Sequence, residues 1–302
     1  MSSNRVRDII FYSIEERMAH MDFYVLNADM MGRPFIDIQK RYPERFVQVG
    51  IAEQNLVAVA AGLALAGKKP VTFSPAPFIY LRAFDQIRNA VSAMNLNVVM
   101  IANGFGFVNP GLGVTHFPTE SYNILSLCPN LEFITLSDEA IAGAFSEYIC
   151  QSNAPIYACL DFNADGILVS EEKPDMQKGW RLIKQVPASD TVIITDGFLL
   201  RVLLQNDDIF DTNIIEVFKH PYDNPSFFSQ VKKYQHIVIA EEYQAQGGWG
   251  AEICTTLALL GIDVKRLCVN YGKKFPGVFG DREYWMENYG VNISNLKKAI
   301  RK

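Results

Sequence analysis

Four segments of the sequence combine chemically capable residues with positions at which a folded chain exposes them. The first, Gly50 to Asn55, reads Gly-Ile-Ala-Glu-Gln-Asn and places Glu53 where a strand pattern gives way to a helical one. Open α/β sheets bind ligands at such carboxyl ends of strands, so Glu53 is a candidate for proton chemistry. The helix dipole alone also favours an acidic residue at a helix start, and on this segment alone that explanation is the stronger one.

Two further segments are an aromatic stretch and a long loop. Phe78 to Gln86 follows the turn Ser74 to Pro77, and we interpret Phe78 as a loop residue. The connection from Asn103 to Glu120 contains four glycines and two prolines, and loops of this length in compact domains are often functional. It carries His116, the best candidate in the chain for a side chain that titrates in a cleft. A single loop histidine is nevertheless more often structural.

The fourth segment joins Glu241-Glu242 to Gly247-Gly248-Trp249-Gly250. Glycines at this place can let an anion approach the amino terminus of a helix. They also allow a strand, a turn and a helix to pack closely, and we favour this second interpretation.

Short β-rich runs and helical patterns alternate along the chain between these segments. The alternation predicts an α/β fold with two doubly wound domains and mostly parallel sheets. It lapses around Asn163 to Pro187, where charged residues crowd a polar stretch. We therefore predict a first domain at residues 1–165, a linker at 166–187 and a second domain at 188–302.

Composition restricts the class of protein. The 302 residues carry a net charge of −5 and are 49% apolar, which is typical of a globular protein and suggests no nucleic-acid or membrane surface. Residues 1–10 lack the apolar core of a signal peptide, and charges or glycines interrupt the longest apolar stretches. We expect a cytoplasmic protein with no metal site of its own.

Taken together and in this order, the segments resemble the carboxy-terminal part of transketolase, and more closely the smaller subunit of split, two-gene transketolases. The resemblance covers nearly the whole chain. It depends on the coincidence of Gly50 to Asn55, Arg82 to Arg88, Gly113 to His116, and Glu241-Glu242 with Gly247-Gly248. It implies a pyrimidine-binding domain for thiamine diphosphate, followed by a transketolase C-terminal domain.

The resemblance assigns roles in cofactor binding to several residues. Glu53 matches the glutamate that hydrogen-bonds to N1′ of the aminopyrimidine. Phe78 matches the aromatic residue that stacks on this ring, whereas one-chain relatives place the stacking residue one position later, at Ile79. Arg82 and Gln86 are expected to line or support the same pocket.

Two more residues are matched outside this pocket. Asp29 corresponds to an aspartate at the end of the first strand, near the cofactor and the subunit contact. His116 corresponds to a histidine that faces the reacting carbon and is suited to transferring a proton or holding a hydroxyl group. Glu53 and His116 are therefore the expected catalytic residues.

Three positions depart from the family pattern. Leu112 replaces an aspartate that reads a sugar hydroxyl, while Gly104 and Phe162 stand where a histidine and an arginine often contact the phosphate of the donor. An apolar side chain cannot replace a bidentate guanidinium. We therefore expect a substrate other than an ordinary sugar phosphate bound in the ordinary way.

The family's G-D-G sequence and later asparagine, which hold Mg²⁺ and the diphosphate, have no counterpart in the chain; the nearest match is Thr195-Asp196-Gly197. The resemblance thus implies a separate, diphosphate-binding transketolase N-terminal subunit that holds Mg²⁺, in an α2β2 heterotetramer. The assembly is expected to transfer a two-carbon ketol unit from a ketose donor to an aldehyde acceptor.

Alternatives stay open. The β subunit of a 2-oxoacid dehydrogenase has a similar glutamate and Phe-Asp-Gln run, but its catalytic loop usually has two adjacent histidines, whereas this loop has His116 alone. A deoxyxylulose phosphate synthase-like carboligase normally holds three domains in one chain. A non-catalytic scaffold paralogue is compatible with the three departures, but the retention of Glu53, Phe78 and His116 argues against it.

Overall fold

A computed structural model describes residues 5–161, 173–206, 211–220 and 224–300. The chain divides into two compact units, Met1–Gly104 with Ile124–Leu168 and Phe105–Asn123 with Val169–Lys302. These units differ from the predicted domains, residues 1–165 and 188–302, in two respects. The segment Phe105–Asn123 groups with the second unit, and so does the described part of the predicted linker.

The sheet of the first unit is parallel throughout, and its strands follow the order β5-β6-β4-β3-β1-β2. Strands β4 and β6 are buried along their whole length, because helices cover both faces of such a sheet and the central strands are then apolar on both sides. The strands are β1 (Phe23–Asn27), β2 (Phe46–Gln48), β3 (Lys69–Pro75), β4 (Val99–Asn103), β5 (Glu132–Leu136) and β6 (Ile156–Leu160).

Helices connect these strands. Helix α6 shows how the sequence starts one: the Asp138 side chain accepts a hydrogen bond from the Ile141 amide at 2.8 Å, as expected of an N-cap residue. The helices are α1 (Val6–Arg17), α2 (Arg33–Arg41), α3 (Glu53–Leu65), α4 (Ala76–Arg82), α5 (Ser121–Leu125, which crosses the division between the units) and α6 (Glu139–Gln151), with a 3₁₀ turn at Pro43–Arg45 and a π-helix at Gln86–Ser92.

The second unit has a five-stranded sheet in the order β12-β11-β8-β9-β7. Its strands are parallel except β7, which runs antiparallel to β9 at one edge. The strands are β7 (Trp180–Lys184), β8 (Thr191–Thr195), β9 (Asn213–Val217), β10 (Lys219–His220, outside this sheet), β11 (His236–Gln244) and β12 (Val264–Val269), and the helices are α7 (Gly197–Gln205), α8 (Pro225–Val231), α9 (Trp249–Leu259), α10 (Arg282–Asn288) and α11 (Ile293–Ile300).

The predicted α/β class with mostly parallel sheets is confirmed. Strand β7 was not predicted, because it lies inside the segment 166–187 that the sequence indicates as a linker. Only Trp180 and Arg181 of its five residues are buried. An edge strand of this kind carries little of the continuous apolar pattern that identifies central strands.

The long connection after β4 is packed against the second unit rather than free. Phe107 and Phe117 belong to the core of this unit, where both rings contact Trp285 at centroid distances of 6.1 and 4.8 Å. Between them the chain forms 3₁₀ turns at Pro110–Leu112 and Val114–His116. The second unit therefore fixes the backbone of the loop that carries His116.

No helix within the described ranges is long and apolar enough to cross a membrane.

Candidate active site

Glu53 begins helix α3, as the sequence predicts. Strand β2 ends at Gln48, and the chain then turns through Gly50, whose φ of +72° lies in the left-handed region that glycine adopts without strain. The Glu53 side chain is only 3% exposed. A nearly buried carboxyl group at this junction is costly for the fold unless it has a partner.

Arg82, the last residue of α4, is the partner. Its Nη1 lies 2.9 Å from Oε2 of Glu53 and donates a hydrogen bond to it. The guanidinium also lies over the Phe78 ring, 4.3 Å from the ring centroid, which adds a cation–π contact. The Arg82 side chain is 48% exposed, so one partner of this ion pair is buried and the other is in contact with water.

An open cleft of about 670 Å³ lies at this ion pair. Gln86, the first residue of the π-helix, contributes an Oε1 atom that is buried and has no hydrogen-bond partner among the described residues. Insertions of this helix type are frequent at functional sites. The cleft thus combines a carboxylate, a guanidinium and an unsatisfied amide oxygen. Its lining consists of Ile51, Ala52, Glu53, Gln54, Asn55, Ala58, Arg82 and Gln86.

The interpretation of Phe78 as a loop residue is wrong. Phe78 lies within α4, because Pro77 occupies the first turn of this helix, where a missing amide proton costs nothing. Ile79, the alternative stacking residue, is fully buried, whereas Phe78 is half-buried beneath Arg82. Neither side chain lines the cleft, and of the two only Phe78 has surface that a ligand can reach.

Asp29 lies at the carboxyl end of β1 but does not line the cleft. It is exposed, has a φ of +57°, and its amide donates a 2.9 Å hydrogen bond to Oε1 of Gln48. The structure therefore brings Glu53, Arg82 and Gln86 to one cleft and leaves Asp29 outside it.

His116 belongs to the second unit. Its Nδ1 atom lies 3.0 Å from Oγ1 of Thr115, and partial burial holds the pKa of the imidazole below its usual value. Of the residues that depart from the family pattern, Leu112 is 55% exposed and Gly104 is a buried backbone position whose amide donates to the Leu160 carbonyl at 2.7 Å. Phe162 lies outside the described residues.

Two buried ion pairs of the second unit were not expected from the sequence. Glu241 accepts hydrogen bonds from Nε of Arg266 at 2.5 Å and from the Gly250 amide at 3.0 Å. The amino terminus of α9 therefore binds a carboxylate of the chain itself, that of Glu241, and not an external anion. Glu242 pairs with Arg282, 40 residues further along the chain, and a sequence carries no signal for such a partner.

No group of three or more histidine, cysteine, aspartate or glutamate side chains within the described part of the chain is arranged to hold a metal ion. The expectation that Mg²⁺ is held by another subunit stays a prediction.

Known proteins resemble the chain over most of its length. It is 27% identical to one subunit of the apulose-4-phosphate transketolase of Actinobacillus succinogenes, over 87% of the chain and 85% of that protein. It is 28% identical to a putative transketolase C-terminal section of Methanocaldococcus jannaschii over 95% of the chain and 92% of that protein. A solved structure described as a split gene transketolase in an inactive beta4 tetramer superposes with a TM-score of 0.81, with 25% identity, covering 99% of the chain and 97% of its own.

A related branch is longer. The 1-deoxy-D-xylulose-5-phosphate synthase of Bordetella parapertussis is 27% identical over 89% of the chain, which spans only 43% of that enzyme. The family described as transketolase, pyrimidine binding domain, matches residues 15–161, which include the cleft. The resemblance that the sequence motifs indicate is confirmed: residues 15–161 match the transketolase pyrimidine-binding domain, and over most of its length the chain is similar to subunits or sections of transketolases.

Proposed function

We propose that the chain is the pyrimidine-binding subunit of a thiamine-diphosphate-dependent transketolase that transfers a two-carbon ketol unit from a ketose donor to an aldehyde acceptor. The observation that carries the proposal is the Glu53 carboxylate, which is nearly buried, lines an open cleft, and has a partner, Arg82, that is free to move into water. Such a carboxylate is available to a ligand that competes for it.

The side chains of the cleft fit an aminopyrimidine. Glu53 offers an oxygen to a ring nitrogen and can share a proton with it, and the unsatisfied Oε1 of Gln86 is an acceptor for an amino group. Phe78 lies outside the cleft lining and beneath Arg82, and its flat apolar face would contribute about 0.5–1.5 kcal/mol by stacking on an aromatic ring once the guanidinium moves away. Thiamine diphosphate, when bound, supplies a carbon nucleophile that no protein side chain provides.

The diphosphate and Mg²⁺ require a second subunit under this proposal. The described residues contain no cluster of metal-ligating side chains, and the cleft is lined by one cation, Arg82. Relatives that match the chain nearly end to end are themselves described as a subunit or a section. We therefore infer a diphosphate-binding partner subunit, an α2β2 heterotetramer, and a complete active site only in the assembly.

The substrate is inferred to differ from a common sugar phosphate. Leu112 presents an exposed apolar side chain on the loop of His116, and Gly104 has no side chain with which to contact a phosphate. A donor or acceptor with an apolar or deoxygenated segment next to this loop is compatible with both positions. His116 remains the candidate for moving a proton at the substrate.

The test is ketol transfer by the chain co-purified with its diphosphate-binding partner. Glu53→Gln preserves the size of the side chain but removes its acid–base capacity, so we expect kcat to fall by about 10² to 10⁴. Glu16→Gln, at an exposed site on α1, is the matched control and is expected to retain full activity. Undiminished activity of Glu53→Gln would overturn the proposal, and turnover only with lipoamide as acceptor would favour a 2-oxoacid dehydrogenase subunit instead.

A further inference from the structure

The His116 turn contacts aromatic side chains of the second unit on both sides. Downstream, Phe117 is 2% exposed and its ring meets Trp285 edge to face. On the upstream side, Gly113 has a φ of +74°, and a Cβ atom at this position would lie 2.9 Å from Cε1 of Phe279. The turn is therefore seated against side chains of the second unit at both of its ends.

The amino-terminal part of the same loop is seated on Glu242. Gly106 has a φ of +58°, and a Cβ atom there would lie 2.6 Å from Cβ of Glu242 and 2.9 Å from its Oε2 atom. The next residue, Phe107, directs its amide toward Oε1 of Glu242 in a long hydrogen bond of 3.5 Å. The backbone at residues 106–107 thus lies directly on a carboxylate that is 3% exposed.

Arg282 holds that carboxylate in place. Its Nη2 and Nε atoms donate to the two oxygens of Glu242 at 2.6 and 3.1 Å, an arrangement that fixes direction as well as distance. The guanidinium also lies 3.6 Å from the centroid of the Phe198 ring. Asp281 caps helix α10 at Tyr284, so that Arg282 is fixed as the first residue of the helix.

We propose that Glu242 is a positioning residue, which together with Arg282 holds the 105–117 loop so that His116 is presented to the substrate. The role in catalysis rests on the proposed function; the seating of the loop does not. A carboxylate bound on one side by a bidentate arginine and on the other by loop backbone has one stable orientation. Loss of either side releases residues 105–107 and, through the turns that follow, His116.

Hydrogen–deuterium exchange of the full-length chain tests the seating without any need for activity. Glu242→Gln removes the charge that fixes Arg282, and we expect amides of residues 105–117 to exchange at least about ten-fold faster because charge-assisted bonds are lost. The control is Glu216→Gln, which breaks another buried pair of the same unit, with Arg181. It is expected to leave exchange of these residues unchanged.

A second variant approaches the contact from the loop. Gly106→Ala forces a Cβ atom against Glu242 and is expected to accelerate exchange over the same residues. Gly272→Ala is its control, because Gly272 has a similar φ of +65° and no atom within 4 Å of the added Cβ. It introduces the same backbone strain without displacing the loop.

In the assembled enzyme, both Glu242→Gln and Gly106→Ala are expected to lower kcat at least ten-fold with little change in the apparent affinity for thiamine diphosphate. Unchanged exchange of residues 105–117 in both variants would overturn the inference, as would accelerated exchange with full kcat. A wild-type assembly without ketol transfer would instead refute the proposed function and would leave the exchange result to decide the seating of the loop.

Discussion

The ion pair at the cleft has a testable asymmetry, because its two members differ in exposure. Arg82 is 48% exposed and Glu53 is 3% exposed at a separation of 2.9 Å. When Glu53 is replaced by alanine, the guanidinium can turn into water and keeps its hydration. When Arg82 is replaced by alanine, the carboxylate stays where it is and loses its partner. The two truncations of one pair should therefore have different costs.

The magnitudes follow from these surroundings. A buried polar group left without a partner costs about 1–3 kcal/mol, and more for a charge. Since water reaches Arg82 and weakens the attraction, we place Arg82→Ala at about 1–2 kcal/mol of destabilisation. Glu53→Ala loses the same interaction but also removes the desolvation of a carboxylate, so its net effect should lie within about 1 kcal/mol of zero. The double variant Glu53→Gln/Arg82→Ala should regain most of the stability that Arg82→Ala loses, because glutamine leaves no unpaired charge at position 53.

Exchange of the amides of helix α3 and urea unfolding followed by far-UV circular dichroism measure these effects. Fluorescence does not, because all three tryptophans lie in the second unit. Arg33→Ala is the matched control: Arg33 and Asp37 also lie 2.9 Å apart, but the arginine is 78% exposed, and its loss should leave the free energy of unfolding nearly unchanged. If Glu53→Ala destabilises as much as Arg82→Ala, or if Arg82→Ala matches Arg33→Ala, the reasoning fails.

Two further predictions concern stability. Gly250→Ala should destabilise the protein by about 1–3 kcal/mol in urea unfolding, because the new Cβ atom would overlap the Glu241 carboxylate and lie 2.8 Å from Cγ2 of Ile239. Gly143→Ala is its control: Gly143 lies in helix α6 with open space around the position, and the variant should be more stable by about 0.5–1 kcal/mol. Burial lowers the pKa of His220 to about 3, so as pH falls below about 6.5 the unfolded chain takes up a proton that the native state refuses, and the contribution of His220 to the free energy of unfolding should fall by about 2 kcal/mol between pH 7 and pH 5. Urea unfolding followed by tryptophan fluorescence should show a change between pH 7 and pH 5 that is about 2 kcal/mol more destabilising in wild type and in the exposed-site variant His20→Gln than in His220→Phe, and an equal change in all three would exclude a contribution of His220.

The parts of the fold and site that the sequence predicts are those encoded locally. Alternating strand and helix patterns predict the parallel sheets, and the step from Gln48 to Glu53 predicts a strand end followed by a helix start. The incorrect prediction that Phe78 lies in a loop also has a local cause. A proline-containing stretch is compatible with a turn and also with the first turn of a helix, and only packing decides between them.

Tertiary partners were not predictable in the same way. Adjacent residues of a strand point to opposite faces, so Glu241 and Glu242 of β11 belong to different contacts although they read as one motif. Glu241 meets the start of α9 and Arg266, whereas Glu242 meets Arg282 and the loop at Phe107, 135 residues earlier in the sequence. The glycines near each carboxylate are explained by these contacts, and no spacing within the motif indicates them.

The exposure of its arginine partner determines whether a buried carboxylate can bind a ligand or only stabilise the fold. Glu53, Glu241 and Glu242 are alike in being 3%, 0% and 3% exposed, and each is paired with an arginine. The arginines of Glu241 and Glu242 are only 17% and 12% exposed. A ligand that displaced either arginine from its carboxylate would leave a largely desolvated guanidinium without a partner, which is costly. Only Arg82, at 48%, can leave its carboxylate for water at small cost. Glu53 is therefore the one of these three carboxylates that can change partners without disrupting the unit that holds it.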